Sequence, residues 1–256
     1  MFGFALASVF IAHVVADFYA QSDELANAKL ENARALIAHC ISYALVFGVC
    51  AILFLGGSLV GWVVLVGCAG HAAIDVAKFF LQRQFKFKQL TAFVADQAAH
   101  VAICTAIIVA CSNGLELSGP ITWVVCALGG EVCARGAELI LALLIVGKPS
   151  EILVSLILAA VQSAGGEEGQ GIAESPAVLR AGRWIGILER IIVVVMTLWN
   201  EFGAIAFVLT AKSIARFDLL KDQSFAERYL IGTLASAAAA ILAALLARGL
   251  VGDLPC

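Results

Sequence analysis

Residues 59–81 read LVGWVVLVGCAGHAAIDVAKFFL. This run is long and apolar enough to cross a bilayer as a single helix, because a spanning helix needs about 20 such residues. Within it, His71, Asp75 and Lys78 recur at steps of four and three and therefore share one helix face. An ionisable side chain in lipid is unfavourable by roughly 2.5–3.5 kcal/mol on insertion scales. The sequence therefore predicts a spanning helix whose polar face meets polar partners.

The whole chain has the same apolar character. Of its 256 residues, 62% are hydrophobic and 14% are charged, and the mean hydropathy is +1.00. A soluble domain carries about a quarter charged residues, so this composition excludes an ordinary soluble enzyme and a disordered chain. With a net charge of −3 the chain has no basic field for nucleic acid. We expect an all-α, polytopic transmembrane helical bundle.

Long apolar runs without strand alternation predict helices throughout. We expect seven or eight spans, because the sixth and seventh runs are short and could form one bent helix. Lys148-Pro149 breaks the pattern after the fifth run, and the following residues 152–161 are predicted to form an interfacial helix. The predicted spans are residues 2–20, 33–55, 59–81, 90–111, 121–146, 184–199, 202–215 and 226–247.

One glycine-rich polar segment predicts the division of the chain. The N-terminal run lacks the positive region of a signal peptide, so we expect it to remain as the first span. The predicted parts are a four-helix half that carries histidine and aspartate (1–111), the fifth span with the interfacial helix (112–164), a polar linker (165–178) and C-terminal transmembrane helices (179–256).

Basic residues predict the orientation. The loop 82–88 contains Arg83, Lys86 and Lys88 and should be cytoplasmic, whereas the loops 56–58 and 112–120 contain no lysine or arginine and should face outward. Tracing the spans alternately places the N-terminus outside. Eight spans place the C-terminus outside as well, and merging the sixth and seventh would reverse it.

The four histidines of the chain each lie in one of the first four predicted spans. Three of them have an aspartate four residues away, on the same helix face. All of these groups fall toward the predicted cytoplasmic ends of their spans. Imidazole nitrogen and carboxylate oxygen suit Zn²⁺, Mn or Fe. The candidate metal ligands are His13, Asp17, His39, His71, Asp75, Asp96 and His100.

A repeat is visible within these four spans. Ala-His13-Val-Val-Ala-Asp17 is similar to Gly-His71-Ala-Ala-Ile-Asp75, and each is followed by a span that carries a further histidine. This pattern predicts two similar helical hairpins that face each other about a pseudo-twofold axis.

Several uses of this constellation stay open at this point. It could be a metal or catalytic site, in which Asp17, Asp75 or Asp96 acts as a base and Lys78 stabilises anionic charge. It could also be an ion or proton path, a structural network of satisfied pairs, or a haem site ligated by two histidines. A thiol-based site is disfavoured, because the eight cysteines form no CxxC.

The second half of the chain contains charges too deep to be ordinary surface charge. Glu189 and Arg190 are adjacent, so each needs its own partner, and Glu131, Arg135 and Glu138 are the expected ones. Gly182 and Gly186 form a GxxxG that permits close helix approach. Besides structural ion pairing, an anionic headgroup could bind a set of basic residues: Arg183, Arg190, Lys212 and Arg216.

These motifs together resemble a bacterial inner-membrane family described as domain of unknown function 3307. The matching stretches are His13-Val-Val-Ala-Asp17-Phe18 with Gln21, Lys29, His39, His71-Ala-Ala-Ile-Asp75 with Lys78, Asp96-Gln97-Ala-Ala-His100, residues 182–190, residues 211–217 and residues 227–233. The resemblance implies a multi-pass protein of the bacterial inner membrane and brings no established activity.

The leading hypothesis is a membrane-embedded metal-dependent hydrolase or phosphotransfer enzyme that acts on an amphiphilic substrate. The cofactor would be a divalent metal, and the partners would be membrane lipids and that substrate. A second hypothesis is an ion- or proton-coupled transporter that uses the same residues as a relay. A third is a membrane scaffold that docks another protein through the second half of the chain.

Overall fold

The computed structural model describes residues 2–85, 87–164 and 176–251. Within them the chain is all-α, as predicted, apart from 3-10 and π turns and one pair of two-residue strands, Leu55–Gly56 and Glu116–Leu117. The helices are α1 (Phe2–Val14), α2 (Asp23–Ala28), α3 (Ala33–Phe54), α4 (Val60–Gln84), α5 (Gln89–Cys111), α6 (Gly119–Leu128), α7 (Gly130–Val146), α8 (Lys148–Ala164), α9 (Pro176–Leu198), α10 (Phe202–Ala215) and α11 (Gln223–Val251).

Six helical segments of the described chain are long and apolar enough to cross a membrane, as in a multi-pass membrane protein. Two shorter apolar helices, α6 and α10, add to them, and the total of seven or eight spans stays a prediction. The six segments are Phe2–Tyr19, Ala33–Phe54, Val60–Gln84, Gln89–Gly114, Gly130–Ser163 and Gln223–Val251.

The fifth predicted span, residues 121–146, is divided in the structure, although its end coincides with that of α7 at Val146. Gly129, with φ of +91°, ends α6 in a left-handed conformation that favours glycine, so residues 121–146 form two helices. Lys148 and Pro149 were predicted to break the helical pattern, but they form the first turn of α8, where proline is tolerated. The predicted interfacial helix 152–161 is part of α8, which belongs to the apolar segment Gly130–Ser163.

The sixth and seventh predicted spans are two helices. Asn200, with φ of +62°, lies in the short connection between α9 and α10, and asparagine is among the few residues that adopt this conformation readily. The sixth helix also begins earlier than predicted, at Pro176. The predicted linker, up to residue 175, and Lys86 lie outside the described residues.

The chain divides into two compact units, residues 1–144 with 247–256 and residues 145–246. In the first unit, α1 is almost entirely buried. It packs against α3 and α5, and α4 also packs against α3 and α5. The two helices that carry the repeated His-x-x-x-Asp pattern therefore occupy opposite corners of a four-helix arrangement, and the pseudo-twofold symmetry stays a prediction.

The second unit contains α8, α9 and α10 and most of α11. Ion pairs between side chains connect its helices. Arg183 of α9 pairs with Glu151 of α8, at 2.6 Å between Nε and Oε1, and Glu189 of α9 pairs with Lys212 of α10. Gly232 of α11 faces Leu158 of α8.

Candidate metal centre

Four helices of the first unit bring the histidines and two of the aspartates together in its interior. His13 lies on α1, His39 on α3 and His100 on α5, while α4 contributes both His71 and Asp75. All of these side chains are buried, and so is Asp17. The four histidines, Asp17 and Asp75 therefore lie in one buried cluster.

Asp17 reaches the centre through a local departure from the α-helix. Residues Val15–Tyr19 form a π-turn directly after α1, which widens the helix and changes the direction of the side chains after it. Of the three predicted His/Asp pairs, His71 with Asp75 (3.7 Å) and His100 with Asp96 (3.9 Å) come within ion-pair distance. No such pair joins His13 to Asp17 among the ion pairs of the described residues.

Four polar atoms from two helices and the π-turn lie close together. His39 Nε2 lies 3.1 Å from His71 Nε2, 3.4 Å from Asp17 Oδ1 and 3.2 Å from Asp75 Oδ2. Ligands at about 2.1 Å from a tetrahedral metal ion are about 3.4 Å from one another. The three distances from His39 Nε2 are close to that value, so His39 is spaced from these neighbours as one metal ligand is from another.

Lys29 already places a cation among these atoms. Its Nζ lies 3.0 Å from His39 Nε2, 3.2 Å from Asp75 Oδ2 and 3.5 Å from Asp17 Oδ1. An ammonium group has three N–H donors and no acceptor, so it can supply one to each of these three atoms. Although burial lowers the pKa of Lys29, Asp17 and Asp75 outweigh that effect and raise it above its ordinary value.

Sequence reasoning did not assign Lys29 to the site. Lys29 lies at the end of the short helix α2, whose N-cap Ser22 accepts a hydrogen bond from Leu25 N. The sequence predicts only a loop here, because Lys29 lies between the first two predicted spans. The only sequence signal for Lys29 was its presence among the residues that carry the family resemblance.

His13 and Tyr43 form the edge of the cluster. His13 Nδ1 lies 3.1 Å from the Tyr43 hydroxyl group, and the His13 ring stacks on that of His100 at 5.1 Å between centroids. The Tyr43 ring stacks on His71 at 3.5 Å between centroids. Tyr43 therefore orients His71, a role that an aromatic residue within an apolar run gave no reason to predict.

Lys78 and Asp96 form a second polar group beside the cluster. Lys78 Nζ donates to Asp96 Oδ2 at 2.8 Å. Gln97 Nε2 donates to the same oxygen at 3.2 Å and lies 3.4 Å from Asp17 Oδ2. Gln97 thus connects Asp96 to the central group, although sequence reasoning did not assign it a role.

Two groups of residues in the described chain are spaced so that they could hold a metal ion. One consists of Asp17, His39 and His71, and the other of His71, Asp75 and His100. Five of the seven predicted ligands therefore lie in these groups, which share His71. The assignment of His13 and Asp96 as ligands stays a prediction.

The basic residues predicted in the second half have other partners than expected. Glu189 pairs with Lys212 rather than with the fifth predicted span, where Glu131 and Arg135 pair with each other. Arg190 Nε donates to the Val146 carbonyl oxygen at 2.7 Å. The GxxxG at Gly182 and Gly186 permits a close helix approach, but no other described helix lies within contact of a Cβ built at either position.

Comparison with known proteins identifies a family for the first half of the chain. Residues 5–124 match the family model described as protein of unknown function (DUF3307). The match includes every histidine of the cluster, whereas the motifs after residue 182 lie outside it. No curated protein and no solved structure matches the chain. The part of the chain that builds the His/Asp cluster, residues 5–124, therefore belongs to the DUF3307 family of proteins of unknown function.

Proposed function

We propose that the protein is a membrane-embedded, metal-dependent hydrolase or phosphotransfer enzyme that acts on an amphiphilic substrate. The observation that carries the proposal is the convergence of buried ligand atoms on His39 Nε2, which lies 3.1–3.4 Å from atoms of Asp17, His71 and Asp75. His100 lies at the edge of this set, 3.9 Å from Asp75 Oδ1.

The charge of the cluster favours an additional cation. Asp17 and Asp75 contribute two negative charges, and Lys29 contributes one positive charge. With neutral imidazoles the buried group has a surplus of one negative charge, and an uncompensated buried charge is unfavourable by several kcal/mol. A divalent cation that displaces the Lys29 ammonium group from the centre would remove that surplus.

The donor set suits a transition metal. Two imidazole nitrogens and two carboxylate oxygens are typical ligands of Zn²⁺, Mn²⁺ or Fe²⁺. When bound, such an ion polarises a phosphoryl or carbonyl oxygen or lowers the pKa of a water molecule. Tyr43 holds the His71 ring by stacking, so that His71 presents Nε2 to the centre.

The residues beside the cluster fit the other parts of such a reaction. Lys78 is partly exposed and could hold an anionic group of the substrate. Asp96 Oδ1 is buried and has no hydrogen-bond partner among the described residues. It is therefore the carboxylate oxygen available to take a proton, while Oδ2 is paired with Lys78.

A cavity of about 340 Å³ between α4 and α5 adjoins Lys78 and Asp96. Apart from these two residues, Gln82 and Thr91, its walls are apolar. Such a cavity suits an amphiphile, whose apolar part would lie along the helices while its polar group meets Lys78. The apolar lining consists of Ile74, Ala77, Leu81, Phe87, Ala92, Ala95 and Ala99.

Element-resolved mass spectrometry on protein purified without a polyhistidine tag tests the proposal. We expect one or two tightly bound metal ions per chain, reduced at least about tenfold in affinity by Asp17→Asn. Glu24→Gln, which changes an exposed carboxylate on α2, should retain them. Metal-free protein that gains neither thermal stability nor activity on addition of Zn²⁺, Mn²⁺ or Fe²⁺ would contradict the proposal.

One observation favours a second candidate, an ion- or proton-coupled transporter. The polar contacts form a continuous series from the partly exposed Lys78 through Asp96 and Gln97 to Asp17, and from there to the buried histidines. Linked ionisable groups within spanning helices are typical of proton relays. Two results together would support this candidate. Proteoliposomes should show an ion or proton flux that is lost in the Asp75→Asn variant, and the protein should contain no bound metal.

A further inference from the structure

We infer that the second unit contains a binding pocket for a phosphate-bearing anion, and specifically for the headgroup of an anionic lipid. The pocket shares no residue with the His/Asp cluster, so the inference does not depend on the proposed function. Its basic residues are Arg183, Arg190, Lys212, Arg216 and Arg228.

Residues of helices α8, α9, α10 and α11 line this open pocket, which has a volume of about 340 Å³. Its described lining contains the five basic side chains and two carboxylates, Glu151 and Glu189. Each carboxylate is already paired, Glu151 with Arg183 and Glu189 with Lys212. Arg216 and Arg228 therefore remain as positive charges that the carboxylates of the lining do not balance, and they favour an anionic ligand.

Arg216 and Arg228 are the basic residues of the lining that can pair with an anionic ligand. Neither Arg216 nor Arg228 forms an ion pair with a carboxylate in the part of the chain that the structure describes. The Arg216 guanidinium lies 5.7 Å from the centroid of the Tyr229 ring, and Lys212 Nζ lies 5.4 Å from the same centroid. Tyr229 thus positions both cations at one wall of the pocket by cation–π contact.

Buried hydroxyl groups in the lining also lack partners. The Tyr229 hydroxyl and Ser236 Oγ are buried and form no hydrogen bond with a described residue. Both can donate a proton to an acceptor, and a buried polar group without a partner is unfavourable. A phosphate group has several acceptor oxygens, so it could satisfy these hydroxyl groups together with the guanidinium groups.

The surroundings of the pocket favour a lipid as the source of the phosphate. Ile185 in its lining is exposed, and so are Ile214 and Phe217, which flank Arg216. Exposed apolar side chains beside clustered arginines suit acyl chains and a headgroup at a membrane interface. Glu189 Oε1 has no hydrogen-bond partner among the described residues, and it could accept a hydrogen bond from a hydroxyl group of a lipid headgroup. Inorganic phosphate would use such an acceptor less well.

The test uses the full chain in detergent and three probes: short-chain phosphatidylglycerol, short-chain phosphatidylcholine and inorganic phosphate. We expect phosphatidylglycerol to raise the melting midpoint in a saturable way and phosphatidylcholine to have little effect. Arg216→Gln should weaken phosphatidylglycerol binding about tenfold or more, the size typical of a lost charge-assisted contact. Lys221→Gln, which removes an exposed positive charge of the same unit outside the pocket, should leave binding unchanged.

The outcomes separate the two sources of phosphate. Binding of phosphatidylglycerol alone identifies a lipid headgroup site, and equal binding of inorganic phosphate supports the pocket but assigns it to a free anion. Arg228→Gln provides a second variant at an exposed position, in case Arg216→Gln does not fold. If neither phosphatidylglycerol nor inorganic phosphate binds, the inference is overturned. The same follows if Lys221→Gln weakens phosphatidylglycerol binding as much as Arg216→Gln does.

Discussion

Lys29 Nζ lies 3.2 Å from Asp75 Oδ2, although the two residues are 46 positions apart in the chain. The same ammonium group is within 3.5 Å of Asp17 Oδ1 and 3.0 Å of His39 Nε2. It therefore contacts three of the four atoms that would bind a metal ion. Lys29 and a metal ion compete for one place, and this competition makes the proposed site testable.

We expect Lys29→Met to bind Zn²⁺ or Mn²⁺ at least about tenfold more tightly than the unmodified protein, because the competing cation is gone. Without metal the same variant should be destabilised by about 3–5 kcal/mol, since two buried carboxylates lose their counter-ion. Metal titration and the melting midpoint with and without metal measure both effects.

Lys88→Met is the matched control, because Lys88 is exposed and lies outside the cluster. It should change neither quantity. If metal does not restore the melting midpoint of the Lys29→Met protein, Lys29 is the permanent counter-ion of the cluster, and the metal proposal is wrong.

The two histidines at the centre and at the edge of the cluster should differ in their effect on metal binding. His39→Gln removes the atom that lies closest to the other ligands, so we expect the metal content to fall at least about tenfold. His13→Gln changes a ring whose Nδ1 contacts Tyr43, so the loss should be smaller. Equal loss of metal from the two variants would make His13 a direct ligand.

Much of the site was predictable because helices have a fixed period. His71 with Asp75 and Asp96 with His100 are spaced at i and i+4, and both pairs come within ion-pair distance. The burial of all four histidines also follows, since a polar group in an apolar helix must turn away from lipid. These inferences need only one helix at a time.

The rest of the site depends on local geometry and on contacts between distant segments. The π-turn at Val15–Tyr19 separates Asp17 from the face of His13, and no residue type in that segment marks a π-turn. Lys29 enters from α2, and Tyr43 stacks on His71 across two helices. Such contacts depend on how the helices pack, which periodicity does not determine.

The close packing of α3 against α4 should be sensitive to a side chain at Gly67. A Cβ there would lie 2.7 Å from Phe47 Cε1, and Phe47 is fully buried and stacked on Tyr43. We expect Gly67→Ala to destabilise the protein by about 1–3 kcal/mol, as overpacking does. Because Tyr43 stacks on His71, metal affinity should fall with it. The melting midpoint and a metal titration measure the two effects.

Gly61→Ala is the control on the same helix. Nothing lies within 4 Å of a Cβ at that position, and alanine is the better helix former by about 1 kcal/mol. This variant should be neutral or slightly more stable. A loss of stability equal to that of Gly67→Ala would show that α4 tolerates no added side chain, and that contact with Phe47 is not the cause.

Gln97 separates the enzyme proposal from the transport alternative, because it joins Asp96 to Asp17 without belonging to either metal-capable group. We expect Gln97→Leu to keep its bound metal within about twofold, since no ligand is lost. We also expect liposomes that contain the unmodified protein to show no more proton flux than empty liposomes. A pH-sensitive dye inside the liposomes measures the flux. Gln89→Leu, at an exposed position of the same helix, is the control. Flux that Gln97→Leu abolishes and Gln89→Leu preserves would identify the polar series as a relay, because a leucine interrupts the hydrogen bonds that a proton must follow.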